Sequence, residues 1–467
     1  MKKMWKKTVL CGFFYALILL NFSRGSSLVV QAVEHNFLTQ VTTRETTGEE
    51  AVSPEKTLQL YATSAVLMDA VSGRVLYGKN EAQIMPMAST TKVMTAIVIL
   101  EELRGDLDCE VAISSYAASM PKVKLYVKKG EKYRLRDLMY SLMLESHNDS
   151  AVALAEYVGK EYVPHLEGRE PSEFTVEESK QAVAAFARLM NKKARQLGCE
   201  NTYFITPNGL DGQEDVVTSA DDTVTKIHST TATELARIFS YCILRSPCRE
   251  EFLKITRTGQ HSFASVYPGN RSFHCSNHNT FLSMMPGALS GKTGFTNQAG
   301  YCYVGALQSE DRTFVVALLA CGWPSHKNYK WSDTRQLMQY GMEHFFYRDF
   351  TAQQTAYPEG RLPELPVEGG EMRVLGEPAT LQLRISRDRY EGISGMLLRK
   401  DQAVRVQCRL PKQVKAPVYE GNILGSIVYS VDNIIYRKEY IVAENTIEKM
   451  NFSWCFYKVW EYFMNAV

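Results

Sequence analysis

The sequence has no excess of charge of either sign. Its 467 residues include 53 Lys and Arg against 51 Asp and Glu, which gives a formal net charge of +2. Nucleic-acid-binding proteins usually concentrate lysine and arginine in a patch or stripe, and no basic stripe interleaved with aromatic residues occurs here. The composition therefore argues against a nucleic-acid partner and is typical of a globular protein with two or three domains.

The sequence also lacks the paired spacings of disulfide frameworks and metal sites. Its 10 cysteines are dispersed without a Cys-x-x-Cys pair, and its 9 histidines show no metal-ligand spacing. Cys302 and Cys321 fall in apolar, strand-like runs, where cysteine behaves as a small hydrophobe. We therefore expect mostly buried free thiols, no metal and no other cofactor.

The first apolar run is too short for a membrane-spanning helix, which needs about 20 residues. This run, residues 9–20, follows a start rich in lysine and precedes a polar segment, which is the pattern of a secretory signal. Residues 1–32 are predicted to be a signal peptide cleaved after Val30-Gln31-Ala32, with an uncleaved N-terminal anchor as the alternative. In either case we expect the rest of the chain to lie outside the cytoplasm.

Ser89 and Lys92 are the first candidates for catalysis. They stand three residues apart where the apolar run 93–100 predicts the first turn of a helix, so that hydroxyl and amine share one helix face. Such a pair suits a serine nucleophile whose proton passes to a lysine. The same Ser-x-x-Lys spacing occurs at 53–56 and 119–122, where the surroundings indicate solvated surface.

The composition and periodicity of the chain predict its domains. Residues 33–57, rich in Thr and Glu, are interpreted as a flexible linker. Strand-like runs near both ends of residues 58–350, with helical patterns between them, predict one α+β domain. A Pro- and Gly-containing linker over 351–370 and a small all-β domain over 371–443, with apolar alternation at period two, follow.

Local patterns inside the α+β domain predict its elements. We expect a hairpin over 64–77, helices over 133–144, 181–197, 231–244 and 333–346, strands over 300–306 and 312–321, and a polar surface insertion over 161–178.

The last segment, residues 444–467, is predicted to be an amphipathic helix. One face carries Asn451, Lys458 and Glu461, whereas the other is rich in aromatic residues, with Trp454 and Trp460 nearby. Such a helix suits a membrane interface, where tryptophan and tyrosine are enriched. The alternative is a helix that docks on the protein itself.

Two further motifs give Ser89 and Lys92 their context. Ser146-His147-Asn148 interrupts a helical pattern, and Lys292-Thr293-Gly294 precedes the strand predicted over 300–306. Together with Ser89-x-x-Lys92, and in this order, they form the combination found in penicillin-binding proteins and β-lactamases. From about residue 60 onwards the chain resembles the D-alanyl-D-alanine carboxypeptidases of peptidase family S11. This resemblance implies a serine β-lactamase/transpeptidase-like catalytic domain, followed by the small β-domain and the terminal helix.

Acyl transfer assigns a role to each residue of these motifs. Ser89 is the expected acyl-ester nucleophile, Lys92 the general base and Ser146 a proton relay to the leaving group. Asn148, Lys292, Thr293, Gly294 and Phe295 are the expected substrate-binding residues. The resemblance implies an oxyanion hole formed by the main-chain N–H groups of Ser89 and Phe295. His147 as a second base and His228 as a catalytic residue are less favoured than structural roles.

The resemblance also implies the substrate and the partners. We expect removal of the terminal D-alanine from peptidoglycan pentapeptide stems, inhibition by β-lactam antibiotics, and a position on the outer face of the cytoplasmic membrane. A β-lactamase is the nearest alternative, because it acylates the same kind of serine but hydrolyses the ester rapidly. A non-catalytic wall-associated scaffold that keeps the fold is the other alternative.

Overall fold

The computed structural model describes residues 58–104, 106–217, 223–267, 269, 271–352 and 362–465. The predicted signal peptide 1–32 and linker 33–57 lie outside these residues. The chain divides into two compact units with their boundary between Tyr347 and Arg348.

The first unit combines strands and helices. Its strands are β1 (Ser64–Asp69), β2 (Val75–Lys79), β3 (Met85–Pro86), β4 (Glu110–Ala112), β5 (Lys132–Arg134), β6 (Gln213–Val217), β7 (Thr223–Ile227), β8 (Ser229–Thr230), β9 (Gln260–Ala264), β10 (Ser272–Ser276), β11 (Ala288–Thr296), β12 (Gly300–Ser309) and β13 (Arg312–Leu319), and β14 (Phe346–Asp349) crosses the boundary. Its helices are α1 (Lys92–Glu102), α2 (Ser115–Ala118), α3 (Leu135–Tyr140), α4 (Asn148–Gly159), α5 (Val176–Gln196), α6 (Ala232–Leu244), α7 (Arg249–Arg257), α8 (Phe281–Met284) and α9 (Tyr329–His344).

An antiparallel sheet of five strands, in the order β11-β12-β13-β1-β2, organises this unit. Early and late segments meet in it, since Ser64 of β1 pairs with Leu319 of β13. β1 and β2 form the hairpin predicted over 64–77, which is confirmed. The mixed helix and sheet content also confirms the α+β prediction for this part of the chain.

Helices cover both faces of the sheet. Successive side chains of a strand point to opposite faces, so Leu67 and Met68 mark the two sides of β1. On one face, the hydroxyl of Ser240 in α6 contacts the sulfur of Met68. On the other face, Leu67 and Phe314 pack closely against Gly341 of α9. The central β1 and β13 are accordingly almost entirely buried.

Helix α1 lies at the centre of the helical part of the unit. Its residues from Lys92 to Leu100 are all buried, and a helix that is apolar around its whole circumference must be enclosed by other elements. The helix is therefore a fixed support for the residues at its N-terminus, where the Ser89 motif lies.

Two local predictions differ from the structure, and a third missed a strand. The helix predicted over 133–144 is shorter: α3 ends at Tyr140, and a π-helical turn over Ser141–Glu145 follows. The insertion 161–178 is not wholly surface, because Val163, Leu166 and Phe174 form a small buried cluster there. The prediction that Lys292-Thr293-Gly294 precedes a strand over 300–306 is confirmed, since β12 begins at Gly300, but the motif itself lies in a strand that was not predicted, β11. Glycine and lysine weaken the apolar alternation by which a strand is recognised.

The second unit is built from strands up to residue 443. They are β15 (Leu365–Glu368), β16 (Thr380–Leu381), β17 (Leu383–Gly392), β18 (Gly395–Leu398), β19 (Arg405–Arg409), β20 (Val414–Lys415), β21 (Ile423–Val431) and β22 (Ile434–Ala443). They include a three-stranded sheet, β16-β15-β20, and a four-stranded sheet, β17-β22-β21-β19. β15 lies inside the segment predicted as a linker over 351–370. It was missed because Pro366 and Glu368 alternate with its two apolar residues, so that no apolar run marks the strand.

Helix α10 (Phe452–Asn465) follows the strands of the second unit. Most of its aromatic residues are exposed, with Phe452 at 85% and Trp460 at 58% of their full accessibility, whereas Trp454 is half-buried. No helix among the described residues is both long and apolar enough to cross a membrane.

Candidate active site

The Ser89 motif begins on a tight turn. A 3₁₀ turn over Ala88–Thr91 leads directly into α1, so the predicted helical start is confirmed. Ala88 has the left-handed value φ 47°, a conformation that non-glycine residues rarely adopt and that occurs often at functional sites. Gly209 packs against this turn so closely that a Cβ there would lie 2.0 Å from the carbonyl oxygen of Ala88.

Lys92 is completely buried at the start of α1. Its Nζ lies 2.8 Å from Ser89 Oγ, 2.9 Å from Asn148 Oδ1 and 2.6 Å from the main-chain oxygen of Asn208. Burial holds the pKa of Lys92 well below its usual value, the positive charge of Lys292 lowers it further, and Asp149 opposes both effects. A neutral lysine amine in contact with a serine hydroxyl can accept its proton.

Ser146 projects from the break between two helical segments. The π-helical turn ends at this residue, which has the left-handed conformation φ 66°, ψ 30°. Its Oγ accepts a hydrogen bond of 2.9 Å from Lys292 Nζ, which also donates to the carbonyl oxygen of Thr293 at 2.8 Å. Burial lowers the pKa of Lys292 to about 7. The second and third motifs therefore meet through a lysine–serine contact that parallels the one between Lys92 and Ser89.

Asn148 is the first residue of α4, and both ends of its side chain are engaged. Oδ1 accepts from Lys92, and Nδ2 donates to the carbonyl oxygen of Pro121 at 3.3 Å. The next residue, Asp149, is fully buried and accepts from the main-chain N–H groups of Leu125 and Val127. The start of α4 therefore fixes both Asn148 and the chain segment beside it.

Strand β11 brings the third motif against the nucleophile. Gly294 approaches the Ser89 turn so closely that a Cβ there would lie 2.8 Å from Ser89 N and 3.0 Å from Thr90 N. Phe295 follows with 37% of its surface exposed, and its ring lies 4.7 Å from that of Tyr301. The main chain of β11 thus lies against the main chain of the Ser89 turn.

A cavity of about 550 Å³ opens onto these groups. Six of the eight predicted site residues line it: Ser89, Ser146, Asn148, Thr293, Gly294 and Phe295. The other two, Lys92 and Lys292, lie behind the lining and bond to the two serines. The structure therefore brings all eight together, although they are up to 206 positions apart in the sequence.

The cavity also contains residues that the sequence analysis missed. Lys330 and Trp331 belong to the first turn of α9, whose predicted start at residue 333 was four residues too late. Lys330 Nζ lies 4.6 Å from the ring centroid of Tyr301 and 4.9 Å from that of Trp331, and burial lowers its pKa to about 8. The proximity of Lys330 and Trp331 to the third motif depends on how α9 packs, and no local pattern indicates it.

His147, considered as a second base, is mostly enclosed. Its Nδ1 lies 2.8 Å from Ser141 Oγ, which also lies 2.7 Å from Ser150 Oγ. Burial lowers the pKa of His147. Among the described residues no group of three or more His, Cys, Asp or Glu side chains could hold a metal ion, and the nine cysteines of this part of the chain are free thiols.

Comparison with known proteins agrees with this geometry. A model of peptidase family S11, described as D-alanyl-D-alanine carboxypeptidase, matches residues 49–163 and 179–320. The chain is 32% identical over 258 residues to D-alanyl-D-alanine carboxypeptidase DacB2 of Mycobacterium tuberculosis, covering 55% of this chain and 74% of that protein. It is 25% identical over 396 residues to the carboxypeptidase DacF of Bacillus subtilis, covering 84% and 87%. In fold it is similar to penicillin binding protein 5 of Haemophilus influenzae, with a TM-score of 0.59 at 23% identity over 85% of this chain and 100% of that one.

Proposed function

The chain belongs to peptidase family S11, the D-alanyl-D-alanine carboxypeptidases, and is a serine carboxypeptidase of cell-wall synthesis; we propose that Ser89 is its nucleophile and Lys92 its base. The observation that carries this assignment is the contact of 2.8 Å between a fully buried lysine amine and a serine hydroxyl that lines the cavity. The substrate is a peptidoglycan stem peptide that ends in D-Ala-D-Ala.

In the acylation step, Ser89 Oγ attacks the carbonyl carbon of the penultimate D-alanine while its proton passes to Lys92 Nζ. The new C–O bond gives a tetrahedral intermediate, and cleavage of the C–N bond leaves an acyl-serine ester. Main-chain N–H groups of Ser89 and Phe295 stabilise the oxyanion, and each such donor is worth about 3 kcal/mol. Support comes from Gly294, which lets β11 approach Ser89 N.

Departure of the terminal D-alanine requires a proton on its nitrogen. We propose Ser146 as the relay: it gives its hydroxyl proton to this nitrogen and recovers a proton from Lys292 Nζ, which donates to it at 2.9 Å, and it lines the cavity beside Asn148. Water then attacks the ester, which releases the shortened peptide and restores the Ser89 hydroxyl.

A β-lactam ring is opened by the attack of Ser89 Oγ, as in the acylation step, and this leaves a penicilloyl ester on Ser89.

A free terminal carboxylate is the feature by which we propose that the site selects its substrate. Thr293 lines the cavity and can donate to that carboxylate, and Lys292, directly behind the lining, attracts it by its positive charge. The charge of the cavity supports this choice. Three further lysines line it, Lys122, Lys327 and Lys330, whereas its one acidic lining residue is Glu145, which is hydrogen-bonded to His278. A cleft with an excess of one sign attracts ligands of the other.

The remaining parts of the chain support a position outside the cell. We propose that the β-rich domain, residues 371–443, and the helix of residues 444–467 hold the catalytic domain, residues 58–350, at the outer face of the cytoplasmic membrane. The exposed aromatic side chains of α10, among them Phe456, Trp460 and Phe463 at 58–65% accessibility, support this role. Deletion of 445–467 should move the enzyme from the membrane fraction to the soluble fraction; unchanged membrane association would reject the role.

The assignment of Ser89 is tested with two substrates and one variant. Wild-type enzyme should release D-alanine from diacyl-Lys-D-Ala-D-Ala and be labelled by a fluorescent penicillin, and Ser89→Ala should lose both activities. Rapid turnover of penicillin with an inert peptide would instead identify a β-lactamase. A wild-type protein that neither cleaves the peptide nor takes the label would indicate a scaffold.

A further inference from the structure

We infer that His228 is a positioning residue for acylation: its side chain connects the loop that holds Lys92 to the turn that holds Ser89. This inference rests on the proposed roles of Ser89 and Lys92. The imidazole touches neither the cavity nor the reacting atoms, and it acts through Thr91 and through the main chain of the loop over residues 205–210.

Each ring nitrogen of His228 has a defined partner. Nδ1 accepts hydrogen bonds from the main-chain N–H groups of Ile205 at 3.0 Å and Thr206 at 3.3 Å. The proton of the neutral ring therefore sits on Nε2, which lies 2.7 Å from Thr91 Oγ1. Thr91 Oγ1 in turn donates to the carbonyl oxygen of Ala88 at 2.7 Å. Each group in this chain thus donates to the next one: the loop donates to the imidazole, the imidazole to Thr91, and Thr91 to the turn that carries the nucleophile.

The two connected segments are the ones that shape the base and the nucleophile. In the loop, the carbonyl oxygen of Asn208 accepts from Lys92 Nζ at 2.6 Å and lies 3.3 Å from Ser89 Oγ. In the turn, Ala88 holds its left-handed conformation one residue before Ser89. A displacement of about 1 Å between reacting groups is enough to reduce a rate about 100-fold.

The ring is suited to this role because it stays neutral. His228 is 3% exposed, and its Nδ1 can accept from the loop only while it carries no proton. Burial lowers the pKa of His228 to about 3, with the charge of Lys92 as the second cause. The ring should therefore keep both hydrogen-bonded connections at any pH well above 3.

The main chain at His228 is fixed independently of its side chain. His228 N donates to the carbonyl oxygen of Gly212 at 2.9 Å, and Ser229 exchanges two main-chain hydrogen bonds with Tyr203. A substitution at position 228 should therefore remove the side-chain connection without displacing the main chain between β7 and β8. The ring also packs edge-on against Phe204, at 5.9 Å between ring centroids.

Asn191 provides a matched control. Its side chain clamps the other end of the same segment, since Nδ2 donates to the carbonyl oxygen of Phe204 and Oδ1 accepts from Phe204 N, both at 2.8 Å. Asn191 is 8% exposed, and its side chain bonds to no residue of the Ser89 turn. Asn191→Ala thus removes two buried hydrogen bonds of comparable type while leaving the connection through Thr91 in place.

The experiment compares His228→Ala, His228→Gln and Asn191→Ala in the full-length enzyme. The measurements are the acylation rate with a fluorescent penicillin, kcat and KM for D-alanine release, and Tm. We expect His228→Ala to lower acylation and kcat about 10- to 100-fold, with KM changed less than about 3-fold. Asn191→Ala should lower Tm at least as much as His228→Ala does, but its acylation rate should stay within about 3-fold of the wild-type rate. An equal loss of acylation in both variants at matched Tm would overturn the inference.

Two further readouts separate positioning from other roles. His228→Gln keeps a polar group that can reach Thr91, so it should recover part of the rate; a rate no better than that of His228→Ala would contradict the connection. In both His228 variants, the acylation rate should fall at the same acidic pH as in wild type. If this acid limb of the pH profile disappeared, His228 would be a proton acceptor rather than a positioning residue. Failure of the assignment of Ser89 is recognised separately, because Ser89→Ala would then retain its label.

Discussion

The side-chain nitrogen of Lys92 lies 2.9 Å from the side-chain oxygen of Asn148. A neutral lysine amine has two N–H groups and one lone pair, and the carbonyl oxygen of Asn208 is the second acceptor, at 2.6 Å. When both acceptors are occupied, the lone pair is directed at the remaining neighbour, Ser89 Oγ, at 2.8 Å. The site therefore orients the base with two oxygen atoms that take no part in the reaction.

Replacing Asn148 by alanine should release Lys92 from this orientation. A hydrogen bond to a group that becomes charged is worth about 1.5–3 kcal/mol, so acylation by penicillin should slow by about 10- to 100-fold. The rate constant of labelling, measured by rapid mixing over a range of penicillin concentrations, checks this. An Asn148→Ala enzyme that acylates at the wild-type rate would contradict the proposed orientation.

Asn148→Asp separates orientation from charge. It keeps an oxygen acceptor of the same shape but places a negative charge beside Lys92, which should raise the pKa of the lysine. Acylation should then be lost as pH falls through a higher value than in wild type. The pH dependence of the labelling rate in the two enzymes provides the comparison, and identical acid limbs would count against Lys92 as the base.

The side chains of the site could be predicted from the sequence better than its main-chain groups. The spacing of Ser89 and Lys92 predicts their contact, because residues three apart share a helix face. Asn208 gives no such signal, since its carbonyl oxygen rather than its side chain contacts Lys92. Lys330 was missed because its place in the cavity depends on the packing of α9. Long-range packing and main-chain geometry are therefore what the sequence did not reveal.

The two buried lysines are coupled, which gives a prediction about pH. The positive charge of Lys292 helps to keep the pKa of Lys92 low. In Lys292→Gln that charge is absent, so the pKa of Lys92 should rise and the acid limb of the acylation profile should move to higher pH. Labelling by penicillin between about pH 4 and pH 10, the interval that spans carboxylate to lysine titration, measures it.

Lys292→Arg is the control for this prediction. Arginine keeps a positive charge at every working pH, so the acid limb should remain close to that of wild type even if the rate falls. Burial places the pKa of Lys292 at about 7, so in wild type the attraction for the substrate carboxylate should weaken as pH rises through this value. KM for the peptide should therefore rise above that pH in wild type but stay constant in Lys292→Arg.

Gly294 should tolerate no side chain. A Cβ at this position would lie 2.8 Å from Ser89 N, so Gly294→Ala must push β11 away from the turn and widen the oxyanion hole. Loss of one such donor costs about 100- to 1,000-fold in kcat, and a loss of that order is expected in D-alanine release. Gly259→Ala is the matched control, because a Cβ there meets nothing within 4 Å; equal activity of the two variants would contradict the proposal.

Glu156 lies on α4, the helix that begins at Asn148, and is completely buried. Its Oε1 accepts from Ser114 Oγ at 2.8 Å, and the hydroxyls of Ser114 and Ser179 both favour the charged carboxylate, in opposition to burial. Burial raises the pKa of Glu156 to about 7. In the folded state the protonated carboxylic acid is therefore favoured up to that pH.

The stability of the catalytic domain should consequently fall as pH rises. The unfolded chain releases the proton of Glu156 near pH 4.3 and the folded chain only near pH 7, so the folded state loses about 3 kcal/mol of stability as pH rises between these two values. Glu156→Gln carries no such proton and should gain this amount over wild type across the interval, as measured by urea unfolding at each pH. Glu161→Gln, at an exposed glutamate shortly after α4, should follow the wild-type curve. Parallel curves for Glu156→Gln and wild type would show that Glu156 is ionised in the folded enzyme.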